Sequence, residues 1–138
     1  MLSQAAGYAA TALGYIETMG GKPVLVKDIA HACQIPAPYL SKIIHTLGRH
    51  GIVITQRGVG GGVVLARPAS EISLLRLCEA LGDHAVVPRC MLGTAECSEE
   101  RACPAHDFWR AQRGRMVEFL ANTFVSDIAA FQSRNEQG

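Results

Sequence analysis

Three cysteines and a histidine fall within one short segment of this chain, with the spacing Cys90-x6-Cys97-x5-Cys103-x2-His106. Thiolate sulfur and imidazole nitrogen are metal donors, and four of them complete a four-coordinate site. The intervening stretches are long enough to wrap thiolates around one face of a small inorganic centre, and the close cysteine pair of a zinc finger or ribbon is missing. Pro104 suits the first position of a helix. This predicts Cys103 at a helix N-terminus, where free amides and the positive end of the dipole favour thiolate over thiol. The competing reading is three surface cysteines that bind nothing.

The chain has five cysteines, an odd number. Its alanine-rich opening at residues 5–16 lacks the basic stretch of a secretory signal and is too short to span a bilayer. Both features predict a cytoplasmic protein with no membrane segment, and in a reducing compartment clustered cysteines point to metal or redox chemistry rather than structural disulfides. Cys33 and Cys78 stand apart, each among apolar neighbours at helical spacing, and read as core filler.

A length of 138 residues with 49% hydrophobic composition supports one domain with an appended element. The net charge of +1 hides a partition. Residues 1–67 carry six basic and two acidic side chains, whereas residues 68–138 carry seven basic and ten acidic ones. A basic N-terminal half suits a nucleic-acid face.

Apolar residues at Ala5, Tyr8, Ala9, Ala12, Leu13, Ile16 and Met19 have the spacing of an amphipathic helix that Gly20 and Gly21 end. A short extended stretch at residues 23–26 leads to a second helix over 27–34. After Pro36 a third runs to His50, with Leu40, Ile43, Ile44 and Leu47 inward. Two short helices joined by a tight turn read either as a plain helical hairpin or as a helix-turn-helix, whose second helix enters the DNA major groove. In the latter, Pro38, Tyr39, Ser41, Lys42, His45 and Arg49 face outward.

The next segment favours DNA. Residues 52–57 read as a strand, 58–62 as a glycine turn and 63–66 as a returning strand, so the helix-turn-helix carries a β-hairpin wing. The glycine run joins two strands and matches no nucleotide-binding loop. Arg57 at the wing base, with Gly58, Gly60 and Gly61 in its slim tip, suits a narrow minor groove, and four glycines around one valine exceed what a turn requires.

Ser73 predicts the cap of a helix ending near Leu81. Beyond His106, the run of Phe108, Trp109, Met116, Val117, Phe119, Leu120 and Phe124 marks a long helix wider in its apolar surface than one small domain can cover. A two-fold mate is the natural cover, with Trp109, Met116, Phe119, Leu120 and Phe124 at the contact and Gly114 permitting close approach. A fresh helix starts near Ser126, and residues 132–138 read as a frayed polar end.

The order of parts resembles the family of bacterial winged-helix regulators that includes the iron-sulfur cluster regulator IscR and the nitric-oxide sensor NsrR. The matching features are Tyr39-Leu40, the stretch Arg57-Gly58-Val59-Gly60-Gly61-Gly62, the three-cysteine segment and Phe108-Trp109-Arg110. The resemblance spans nearly the whole chain. It implies a mostly α-helical winged helix-turn-helix with a small β-hairpin at 1–82, a cluster-binding loop at 83–104, and a dimerisation helix with tail at 105–138. It also implies that Cys90, Cys97 and Cys103 bind an iron-sulfur cluster, and that a homodimer represses or activates promoters on double-stranded DNA with two half-sites.

His106 looks like the fourth ligand of IscR-type 2Fe-2S centres. NsrR-type members take a carboxylate near the N-terminus, and Ala5-Ala6-Gly7-Tyr8 offers none here. The alternatives at the same ligands are a 4Fe-4S cluster sensing nitric oxide or iron, or structural zinc. The first cysteine spacing is one residue longer than in IscR-like members, and Ser41 stands where IscR has a glutamate, so base preference does not transfer. An electron carrier is the remaining reading of a different class. No nucleophile-base constellation supports an enzyme.

Overall fold

In a computed structural model, which describes residues 2–86 and 104–137, the chain is mostly helical with one small hairpin. The helices are α1 (Gln4–Thr18), α2 (Val26–Cys33), α3 (Ala37–Arg49), α4 (Leu74–Leu81), α5 (His106–Ala121) and α6 (Val125–Gln137). Strands β1 (Val53–Gln56) and β2 (Gly62–Leu65) pair antiparallel between α3 and α4, with Val53 opposite Leu65 and Gln56 opposite Gly62.

Helix α1 starts where the Ser3 side chain accepts from the Ala6 amide, supplying one of the hydrogen bonds the first turn cannot make for itself. The sequence predicts one apolar stripe on this helix, but Ala6, Ala9, Ala10, Ala12, Leu13, Gly14 and Ile16 are all buried. Helices α2, α3, α4 and α6 and strand β2 all pack on α1, and its small residues allow that crowding. Gly14 is part of the reason: a Cβ there would lie 2.9 Å from Ile128 Cγ2 of α6.

The expected frayed tail is therefore corrected. Residues 125–137 form α6, and Gln132 Nε2 donates to Thr11 O of α1 at 3.1 Å. Phe124 does not continue the long helix, which ends at Ala121. It lies in the link before α6, where its amide donates to Asp127 Oδ2 at 2.8 Å and caps the new helix. Segments 72–74 and 123–125 pair through Leu74 N–H to Thr123 O and Val125 N–H to Ile72 O. Leu120 and Val125 join the same buried cluster as Leu13, Leu47 and Leu77.

Candidate nucleic-acid interface and ligand segment

Helix α2 ends at Gln34, whose φ of 56° and ψ of 46° make the left-handed turn that reverses the chain. Ile35 then buries and donates its amide to Ala30 O at 2.9 Å, which fixes α3 against α2. Within α3, Leu40, Ile43, Ile44 and Leu47 are buried, while Pro38, Tyr39, Ser41, Lys42, His45 and Arg49 are all exposed. The periodicity thus divides the helix as the sequence indicates. Tyr39, 36% exposed, is not free, because its ring meets Tyr8 of α1 edge-on with centroids 5.6 Å apart. Sequence reasoning missed Tyr8 in this role, since its place in an apolar stripe suggested core alone.

The wing tip projects into solvent, with Val59 fully exposed. Its base is broader than a hairpin, because Val24 N–H donates to Val63 O at 3.1 Å and Val63 N–H donates back to Val24 O at 2.8 Å. This geometry corrects the inference from the glycine run. A Cβ on Gly61 would collide with Gln56 O, and one on Gly62, whose φ is +147°, would lie 2.7 Å from the Val24 backbone. Gly58 and Gly60 also have positive φ. Backbone demands alone account for these glycines, so the run is no separate evidence for a groove contact. Arg57 and the outer face of α3 come together instead: Ser41, His45 and Arg57 line one recess of about 380 Å³ with Val26, Ile44 and Thr55.

Cys90, Cys97 and Cys103 lie outside the described residues. His106 is the first residue of α5, with Ala105 as N-cap, so Pro104 sits just outside the helix and not at its first position. The first turn of α5 thus presents His106, whose Nε2 is shielded from solvent. Among the described residues, no group of three or more histidine, cysteine or acidic side chains could hold a metal. The two described cysteines are free thiols. Burial raises Cys33, and burial followed by the negative charges of Asp83 and Glu79 pushes Cys78 up to about 11. Both are poor thiolates.

On α5, Trp109 and Met116 are half-buried and line a recess of about 310 Å³ with Phe108 and Arg113. Phe119 is 60% exposed. Leu120 is 1% exposed inside the chain's own core, which removes it from the expected dimer contact.

A carboxylate to which the sequence reading gave no role stands at the first residue of the loop expected at 83–104. Asp83, 2% exposed, accepts from the Ser3 amide at 2.7 Å and from the Ala85 amide at 2.8 Å. Burial alone would raise it, but the hydrogen bonds from Ala85 and Ser3, helped by the charge of His84, hold it below the usual carboxylate value. It ties the start of α1 to the end of α4.

The family model of iron-dependent transcriptional regulators designated Rrf2 matches residues 2–130. This chain belongs to the Rrf2 family. As a member, it is a winged-helix DNA-binding transcriptional regulator, and the proteins it matches are regulators rather than enzymes. It is 28% identical over 137 residues to a putative HTH-type transcriptional regulator of Aquifex aeolicus, covering 98% of this chain and 95% of that one. It is 30% identical to the HTH-type transcriptional regulator IscR of Sodalis glossinidius, over 89% of this chain and 74% of that protein. The match to IscR of Pectobacterium atrosepticum, also 30% identical, covers 77% of this chain and 64% of that protein.

Among solved structures, CymR, the global cysteine regulator of B. subtilis, superposes with a TM-score of 0.75 at 23% identity, over 94% of this chain and 95% of that one. IscR of T. potens superposes with a TM-score of 0.73, also at 23% identity, over 99% and 90%. At these identities the likeness is one of fold. No helix among the described residues of the Rrf2 chain is long and apolar enough to cross a membrane.

Proposed function

We propose that this Rrf2 protein acts in the cytoplasm as a homodimer that reads two half-sites on duplex DNA and senses through an iron-sulfur cluster, 2Fe-2S in type. The observation that carries the DNA reading is the division of α3. Its four aliphatic residues are buried, and its polar and basic residues form an exposed face beside Arg57 of the wing. Lys42, Arg49 and Arg57 supply charge for phosphates and base edges. Pro38, Tyr39, Ser41 and His45 line the helix surface a groove would meet, and Gly58, Gly60 and Gly61 keep the wing tip slim.

Cys90, Cys97, Cys103 and His106 are the residues that would hold the cluster. Three thiolates and one imidazole fit it as a donor set, and the start of α5 offers the positive end of a helix dipole to a centre with net negative charge. When bound, the cluster supplies a redox-sensitive or ligand-sensitive charge that an apoprotein lacks. The exposed aromatic face of α5, with Phe119 and half-buried Trp109 and Met116, supports pairing with a second copy.

Anaerobic purification followed by visible absorption, with iron and acid-labile sulfide assayed together, tests the cluster. The expected result is a coloured protein with equal iron and sulfide that His106→Ala makes labile. A colourless zinc protein would overturn it, and equal cluster retention in His106→Ala would remove His106 from the ligand set.

A further inference from the structure

Helix α3 closes its C-terminal end with its own backbone. Gly51, at φ +73°, donates its amide to Gly48 O at 3.1 Å, and Ile52 donates to Leu47 O at 3.0 Å, with Ile52 and Leu47 both buried. His50 O is a carbonyl of this end that the closure does not use, and it receives a donor from another element. Arg76, in the first turn of α4, donates from Nη2 to His50 O at 2.9 Å, across 26 residues of sequence. The bond is charge-assisted and places a cation at the negative end of the α3 dipole. Inside the same turn, His50 Nδ1 lies 2.9 Å from Thr46 O.

Arg76 thus joins two elements with different tasks. Helix α3 carries the exposed face described above, and α4 ends at Leu81, just before the loop expected at 83–104, which carries three of the four candidate ligands. The α4 end nearer that segment is itself anchored, through Asp83, to the start of α1. A groove-reading helix is sensitive to its tilt as well as to its side chains, because its N-terminal residues must reach base edges while the rest of the helix keeps clear of the backbone.

We propose that Arg76 is a positioning residue for DNA binding: held on His50 O, it fixes the C-terminal end of α3 and with it the tilt at which the helix enters a groove. The inference rests on α3 being the DNA-reading helix. Arg76 acts through α3 and not by contact with phosphate.

A short duplex selected by the wild-type protein from a random-sequence pool serves as the probe, with a scrambled duplex as control. Affinity is measured over a salt series for wild type, Arg76→Ala and Arg76→Lys, together with thermal melting and hydrogen exchange at residues 47–52. Arg76→Ala should lose roughly tenfold in affinity for the selected duplex, about the worth of one charge-assisted hydrogen bond. The salt slope and the binding of scrambled duplex should not change. Exchange should quicken at 47–52 alone, and Arg76→Lys, which can still donate to the carbonyl, should recover most of the loss.

A salt slope lower by about one unit, with both duplexes weakened equally, would make Arg76 a phosphate contact and overturn the proposal. Unchanged affinity would overturn it as well. So would a general loss of exchange protection with a lower melting temperature, which would mark Arg76 as a stabilising residue only. Failure of the wild type itself to select any duplex would instead overturn the DNA-reading assignment of α3, and the role of Arg76 with it.

Discussion

Asp83 is a buried carboxylate with two backbone donors, Ser3 and Ala85, and no apolar side chain could replace it without stranding both amides. Asp83→Ala should cost about 2–3 kcal/mol, read as a lower midpoint in denaturant melts. Because its folded pKa is depressed, Asp83 contributes stability above the ordinary value of 3.8, and that contribution is lost as pH falls through the lower folded value. Wild type should therefore lose stability more steeply below pH 3.8 than Asp83→Ala does, and parallel acid limbs would refute this. Cys78 works in the opposite direction. Its folded thiol stays protonated up to about 11, so its contribution is complete below the unfolded value of 9.0 and fades between 9.0 and about 11 as only the unfolded thiol ionises. In the native protein, Cys78 should resist alkylation at neutral pH, and mass spectrometry after brief iodoacetamide exposure would show it unmodified.

The wing and the helix-turn-helix depend on different local rules. In the wing, the limiting feature is backbone proximity: Gly62→Ala forces a Cβ onto the Val24 backbone in a conformation L-residues avoid. A loss of about 2–4 kcal/mol is expected from strain and crowding together, checked by thermal melting. Arg57→Ala removes charge without backbone strain and should leave stability intact. It should weaken operator binding by about 1–3 kcal/mol if the contact is to bases, and unchanged affinity in a gel shift would place the wing off the DNA. In α3, the three-and-four spacing of Leu40, Ile43, Ile44 and Leu47 marks the exposed polar face from sequence alone. The C-terminal helices were less legible. The fresh helix expected near Ser126 starts at Val125, but the apolar run from Phe108 to Phe124 hides the end of α5 at Ala121, which the pairing of Thr123 and Val125 with Leu74 and Ile72 fixes.

At the scale of the molecule, α5 presents two apolar surfaces that sequence periodicity merges. Leu120 faces the chain's own core and Phe119 faces out. Leu120→Glu should cost about 3–5 kcal/mol by burying an unpaired charge, and so should unfold the protein rather than dissociate it. Phe119→Glu should keep the fold and shift sedimentation from dimer to monomer, and a monomeric wild type would refute the dimer reading. Several properties were already determined by sequence, because they depend on local spacing and residue chemistry. These are the winged helix-turn-helix order, the exposed face of α3, the cap at Ser73, and the clustering of three cysteines and a histidine. Tertiary structure alone decided which of two adjacent residues, Phe119 or Leu120, is core. It also decided that α6 closes over Gly14, that Arg76 reaches the end of α3, and that Asp83 is buried against Ser3. Each of these joins residues far apart in the chain, through packing or hydrogen bonds that leave no periodic trace in the sequence.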